Sequence, residues 1–175
     1  MRTAGRTDIG RIRLVNEDRA LVLPQLGGIT LAVVADGMGG HQAGDIASQM
    51  ATQVIERELK SLDKNAATDQ LEQAVKTAIE NANRSIYEYA STSEQYYGMG
   101  TTVVVAVATS DKLVIGHIGD SRAYMTRDGG LEQLTEDHSL VNELVRSGQI
   151  TAEEASNHPR RNVLTRALGT ESGVT

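Results

Sequence analysis

The apolar positions of this chain repeat first with the period of strands, then with that of helices, then with that of strands again. Residues 29–35, I-T-L-A-V-V-A, form an apolar run of strand length that stops at Asp36; its shortness and β-branched content predict a buried strand. Residues 20–23 read as a shorter strand ended by Pro24 and Gly27-Gly28, and residues 1–7 as another candidate. Over residues 45–60, Ile46, Met50, Val54 and Leu59 recur at helical spacing, with Ala47 and Ala51 widening the stripe. A longer stripe, Leu71, Val75, Ala78, Ile79, Ala82, Ile86 and Tyr89, predicts a second helix over 69–90, and the short polar linker predicts that the two pair antiparallel.

Val- and Thr-rich segments then return over 99–135, punctuated by Ser110-Asp111 and by Asp128-Gly129, a strong hairpin signal. They predict an antiparallel meander. A third helix is expected over 137–147, and Thr151 with Glu154 reads as a capping box opening a very short helix that ends before His158-Pro159. Strands, then helices, then strands favour an α+β layered domain over a doubly wound parallel sheet.

Composition narrows the class. At 175 residues one domain is expected, and with no Phe or Trp and five Tyr the core must be aliphatic. A net charge of −6 without a long basic run argues against nucleic acid as a partner. No segment has the roughly 18 apolar residues needed to span a bilayer, and the first residues lack the apolar core of a signal peptide, so a cytoplasmic chain is expected. The absence of cysteine excludes disulfides, thiolate metal sites and a cysteine nucleophile.

Candidate chemistry gathers at strand ends. Asp36 closes the apolar run and is followed by Gly37, Gly39, Gly40 and Gly44, whose missing side chains permit close backbone approach to a ligand. A plain strand-to-helix turn accounts for Asp-Gly taken alone. Glu17, Asp18 and Asp120 also fall near strand ends, and clustered carboxylates without Cys or close-spaced His call for hard divalent cations, Mg²⁺ or Mn²⁺. Two such ions would activate a water for in-line attack on phosphorus, with Arg13 as the clamp on phosphate oxygens. Neither G-x-x-x-x-G-K-[ST] nor G-x-G-x-x-G is present to cradle a nucleotide.

Six ordered motifs, R-L-V-N-E-D-R, V-A-D-G-M-G-G-H-Q-A-G, G-M-G-T-T, I-G-D-S-R-A-Y, L-T-E-D-H-S-L-V and H-P-R-R-N-V-L-T-R-A-L-G, cover nearly the whole chain. Together they resemble the bacterial branch of the metal-dependent type 2C protein serine/threonine phosphatases. The resemblance implies a central antiparallel β-sandwich flanked by paired helices, with two or three Mn²⁺ or Mg²⁺ ions at one end. It implies that Asp36 bridges two metals, that Gly37 offers its carbonyl, and that Glu17 and Asp18 hold metal-bound waters. Arg13 would bind phosphate, Asp120 would help a third metal bind, and residues 147–169 would form a mobile flap. His41 falls in the family's G-G-H, where it serves either proton transfer or the structure of a helix start. Met38 stands where eukaryotic relatives carry a histidine, so their general-acid proposal does not transfer.

The family's domain is longer, and its later acids, in a second strand-end Asp-Gly and in a Gly-x-Asp-Asn stretch, are absent from residues 1–175. The expectation is therefore a chain truncated at its C-terminal end, with an incomplete metal site and missing strands. The function implied is hydrolysis of phosphoserine and phosphothreonine in proteins by metal-activated water. Its rival is a non-catalytic phosphopeptide-binding or regulatory module. The implied partners are phosphorylated proteins and a cognate serine/threonine kinase, with the chain itself expected to be a monomer.

Overall fold

The computed structural model describes residues 1–40 and 43–174, with Gln25 and Leu26 described by backbone alone. Four strands form an antiparallel path in the order β1-β2-β4-β5, where β1 is Asp18–Leu26, β2 Ile29–Met38, β4 Val103–Ala108 and β5 Leu113–Ile118. A two-residue strand, β3 (Gly100–Thr101), pairs with Gly37 and Met38 at the end of β2. The hairpin β6 (Tyr124–Arg127) and β7 (Gly130–Gln133) stands apart as its own sheet.

Strand alternation sorts the side chains into two faces. Leu31, Val33, Val103, Val105, Val107 and Val114 belong to one buried cluster with Val54, Ile55, Leu71 and Ile86. The last four come from α1 (Ala43–Leu59) and α2 (Thr68–Ala90), which pack on each other and on this face. Gly116 of β5 admits α2 closely: an added Cβ would lie 2.6 Å from Val75 and 2.9 Å from Ile79. The opposite face, which carries Ala20, Ala32 and Val34, has no helix on it among the described residues, and Val34 is 48% exposed. Helices on one side and an apolar face on the other are what one layer of a flanked sandwich presents.

Three expectations need correction. Residues 1–9 form no strand. They carry Arg2, Arg6 and Asp8 and little apolar area to bury, and they run exposed past β1, with Gly5 close against Val22. The strand expected over 20–23 instead runs through Pro24 to Leu26. As an edge strand β1 tolerates a residue without an N–H, and its register shifts between Leu23 and Leu26. The third helix, α3 (Leu140–Arg146), starts later than expected because Ser139 is its N-cap and Asp137 and His138 are committed elsewhere.

The remaining local signals are realised. Asp128 and Gly129 both take positive φ, 50° and 80°, in the two-residue turn joining β6 and β7. Thr151 and Glu154 cap α4 (Ala152–Ser156) reciprocally. From α4 the chain returns to the core. Leu168 exchanges backbone hydrogen bonds with Thr101, and buried Asn83 of α2 accepts from Gly169 N–H at 2.7 Å and donates to the Glu171 carbonyl at 3.0 Å.

Candidate functional site

The acids meet where β1 begins and where β2 and β5 end. Asp18 and Asp36 are direct partners in the β1–β2 ladder, so one face of the sheet brings their carboxylates together. Asp120 follows β5 and adds to the negative field on Asp36. Asp36 keeps contact with solvent, yet its carboxyl is pushed up to about 6. Partial desolvation is the largest cause, followed by the Asp18 charge, a hydrogen bond shared with Asp18 and the Asp120 charge, while Arg13 opposes them. A proton thus does here what a cation would do, holding mutually repelling carboxylates together.

Arg13 sits on a loop built for rigidity at its base. Asp8 accepts from Gly10 N–H at 2.9 Å, Asn16 donates to Thr7 Oγ1 at 2.8 Å, and Asp18 N–H donates to Asn16 Oδ1 at 3.0 Å. Arg13 reaches Glu17 at only 3.9 Å and its side chain is 66% exposed, so this pair contributes about 0–1 kcal/mol and leaves the guanidinium free for an anion. The other Glu17 oxygen, Oε1, is buried with no hydrogen-bond partner among the described residues. An orphaned buried carboxylate oxygen costs at least about 1–3 kcal/mol, so it marks a place for a ligand.

The start of α1 is pressed onto this corner. Gly37 N–H donates to the Glu17 carbonyl at 3.2 Å, and Ser48 of α1 donates to the same carbonyl at 2.6 Å. Arg19 of β1 forms an ion pair with Asp45 in the first turn of α1. Gly37 and Gly44 lie back to back, since a Cβ on Gly37 would overlap the Gly44 carbonyl and one on Gly44 would stand 2.8 Å from Glu17 Oε1. The glycines explained from sequence as room for a ligand thus also provide room for the helix.

His41 lies outside the described residues. Arg13, Glu17, Asp18, Asp36, Gly37 and Asp120 fall in one region, with Asp36 at its centre. Among the described residues no three acidic or histidine side chains converge into a metal-holding group. The donors nonetheless fit hard cations in kind: they are oxygens, they are mutually repelling, and one is buried without a partner.

Sequence reasoning assigned no role to several residues that shape this region. Arg122 grips Asp137 through two bonds of 2.8 and 2.6 Å, fixing the loop after Asp120. His138 stacks on His117 at 4.8 Å between ring centres and accepts from Gly119 N–H through Nδ1 at 3.1 Å. Partial burial, then His117 and Arg166, hold the His138 pKa below its ordinary value, with Glu136 and Asp137 opposing. A cleft of about 620 Å³ runs from Asp120 and Arg122 to Val145, Ala155 and Arg161. The aliphatic groove of about 240 Å³ between α2 and β5 lies apart and contains none of the site's acids.

The profile of the family described as Protein phosphatase 2C matches residues 10–172. A relative named serine/threonine phosphatase stp, from Listeria monocytogenes, is 45% identical over 169 residues, 97% of this chain and 67% of its own length. The protein phosphatase PhpP of Streptococcus pneumoniae is 38% identical, over 96% of this chain and 68% of its own. The crystal structure of the serine/threonine phosphatase Stp1 from Staphylococcus aureus superposes with a TM-score of 0.90 at 40% identity, covering 97% of this chain and 66% of that one. The chain therefore spans about two thirds of the length of these relatives. Among the described residues no helix is long and apolar enough to cross a membrane.

Proposed function

Because the chain belongs to the protein phosphatase 2C family, we propose that it carries the core of a metal-dependent protein serine/threonine phosphatase acting on phosphoserine and phosphothreonine. The observation that carries this reading is the crowding of Asp18 and Asp120 on Asp36 with Arg13 beside them. Carboxylates held in mutual repulsion beside an available guanidinium suit divalent cations and a phosphate monoester together.

In this reading Asp36, Asp18, Glu17 and the backbone of Gly37 hold Mn²⁺ or Mg²⁺, with Asp120 beside a further ion. Two bound cations would lower the pKa of a water and supply hydroxide for in-line attack on phosphorus. Arg13 binds two phosphate oxygens through its planar fork and orients the ester. With no cysteine in the chain there is no thiol to carry a covalent phosphoenzyme. His41 is assigned either proton transfer in this step or the structure of the helix start. Residues 147–169, next to the cleft at Asp120, are assigned as a flap over the phosphopeptide, with the chain acting as a monomer in the cytoplasm, opposite a cognate kinase.

Manganese-dependent release of p-nitrophenol from p-nitrophenyl phosphate tests the reading. No release, together with binding of a phosphopeptide, would instead establish a non-catalytic binding module.

The raised pKa of Asp36 sets a pH window for metal binding. The folded chain holds a proton that the unfolded chain releases near the ordinary carboxylate pKa of about 4. The metal-free fold therefore loses stability as pH rises from about 4 to about 6, and above that the repulsion is fully present. Cations bind in competition with that proton. Calorimetric titration with MnCl₂ is expected to show affinity falling about tenfold per pH unit below about 6 and levelling off above it. With few carboxylates at the site, dissociation constants of about 0.1–1 mM are expected, the weak end for hard-cation sites. A flat profile from pH 5 to 8 would remove Asp36 from the ligand set.

A further inference from the structure

Asp36 and Asp120 leave strands that are not neighbours. β4 lies between β2 and β5, and strands once removed stand about 10 Å apart. Something must set how closely the two acids are presented to a shared ligand. One residue, Thr102, separates β3 from β4 and touches the backbone around both.

Thr102 is 2% exposed, and each part of it is engaged. Its hydroxyl accepts from Asp36 N–H at 3.0 Å and hydrogen-bonds the Ser121 hydroxyl at 2.6 Å. A hydroxyl has one proton and two lone pairs, so both contacts are made at once. Its own N–H donates to the Asp36 carbonyl at 2.9 Å. Its methyl lies where Gly119 has no side chain: an added Cβ there would stand 2.6 Å from Thr102 Cγ2. Gly119 also takes φ of +103°, which glycine adopts without strain. The residues on both sides of Asp120 therefore rest on the one side chain that also holds the backbone of Asp36.

Resting on the phosphatase reading, we propose that Thr102 is a positioning residue that sets the spacing of Asp36 and Asp120, its hydroxyl tying Asp36 to Ser121 and its methyl seating Gly119. It touches neither cation nor substrate. It fixes the distance at which two carboxylates on separate strands act on the same charge, as outer-shell partners of ligands do. Valine at this position keeps the branched shape and loses the hydroxyl, whereas serine keeps the hydroxyl and loses the methyl.

The test is calorimetric titration of the 175-residue chain with MnCl₂, well below the melting temperature of each variant. Thr102→Val is expected to weaken Mn²⁺ binding about tenfold, and Thr102→Ser to recover most of that loss. Asp120→Asn is expected to weaken binding in the wild-type background and to add almost nothing in Thr102→Val, because the two acids no longer act together. A purely structural role would lower the melting temperature and leave the affinity of the folded protein alone. Unchanged affinity in Thr102→Val, or an equal cost of Asp120→Asn in both backgrounds, overturns the proposal while leaving the phosphatase reading intact. A wild-type chain that binds no Mn²⁺ overturns both.

Discussion

Asp36→Asn is expected to reduce manganese-dependent turnover of p-nitrophenyl phosphate by about 10³-fold or more, and at the same time to raise the melting temperature of the metal-free chain above pH 6. The loss of activity follows from removing the carboxylate at the centre of the acidic cluster: a divalent cation contributes several kcal/mol of charge stabilisation, and about 4 kcal/mol is a thousandfold in rate. The gain in stability follows from the raised pKa. Once ionised, Asp36 repels Asp18 and Asp120, and an uncharged amide of the same shape relieves that repulsion while still bonding Asp18. Opposite signs for activity and stability are the mark of a site held in strain for function. Wild-type turnover in the variant, or a lower melting temperature at pH 8 without metal, would defeat this account of Asp36.

Gly37→Ala is expected to destabilise the chain by at least about 3 kcal/mol, the upper range for forced overpacking. The added methyl would overlap the Gly44 carbonyl and stand 2.7 Å from the Glu17 carbonyl oxygen, and both are backbone atoms with nowhere to go. For a domain of this size the melting temperature should fall by about 6–12 °C or more. Gly129→Ala is the control. Gly129 has φ of +80° with nothing within 4 Å of an added Cβ, so it meets only backbone strain of about 1–2 kcal/mol. Thermal melts showing the two variants alike would mean that α1 does not press on the end of β2 as closely as described.

Much of the architecture was legible because its signals are local. Apolar spacing located α1 and α2 to within a residue or two, the Asp128-Gly129 turn and the Thr151 capping box were read directly, and the acids of the site were named from their position at strand ends. Two of the three errors share one cause. Residues 1–7 have the look of a strand but lack apolar area to bury, Pro24 stops a strand only where an N–H is required, and Asp137 begins a helix only if its side chain is free. The last two depended on a neighbour distant in sequence, whereas the first followed from local composition.

By itself, the amino-acid sequence determined most of the elements, the aliphatic core, the absence of thiol chemistry and the oxygen-rich character of the site. Periodicity, composition and side-chain type are properties of the chain wherever it folds. Only the tertiary structure decided that Asp18 faces Asp36 across a ladder, that Glu17 Oε1 is buried and unpartnered among the described residues, that Asn83 holds Gly169 from 86 residues away and that Thr102 holds Asp36 across 66. Such partners are chosen by the register of strands and the seating of helices, and hydrogen bonds between residues so far apart leave no periodic trace in the sequence.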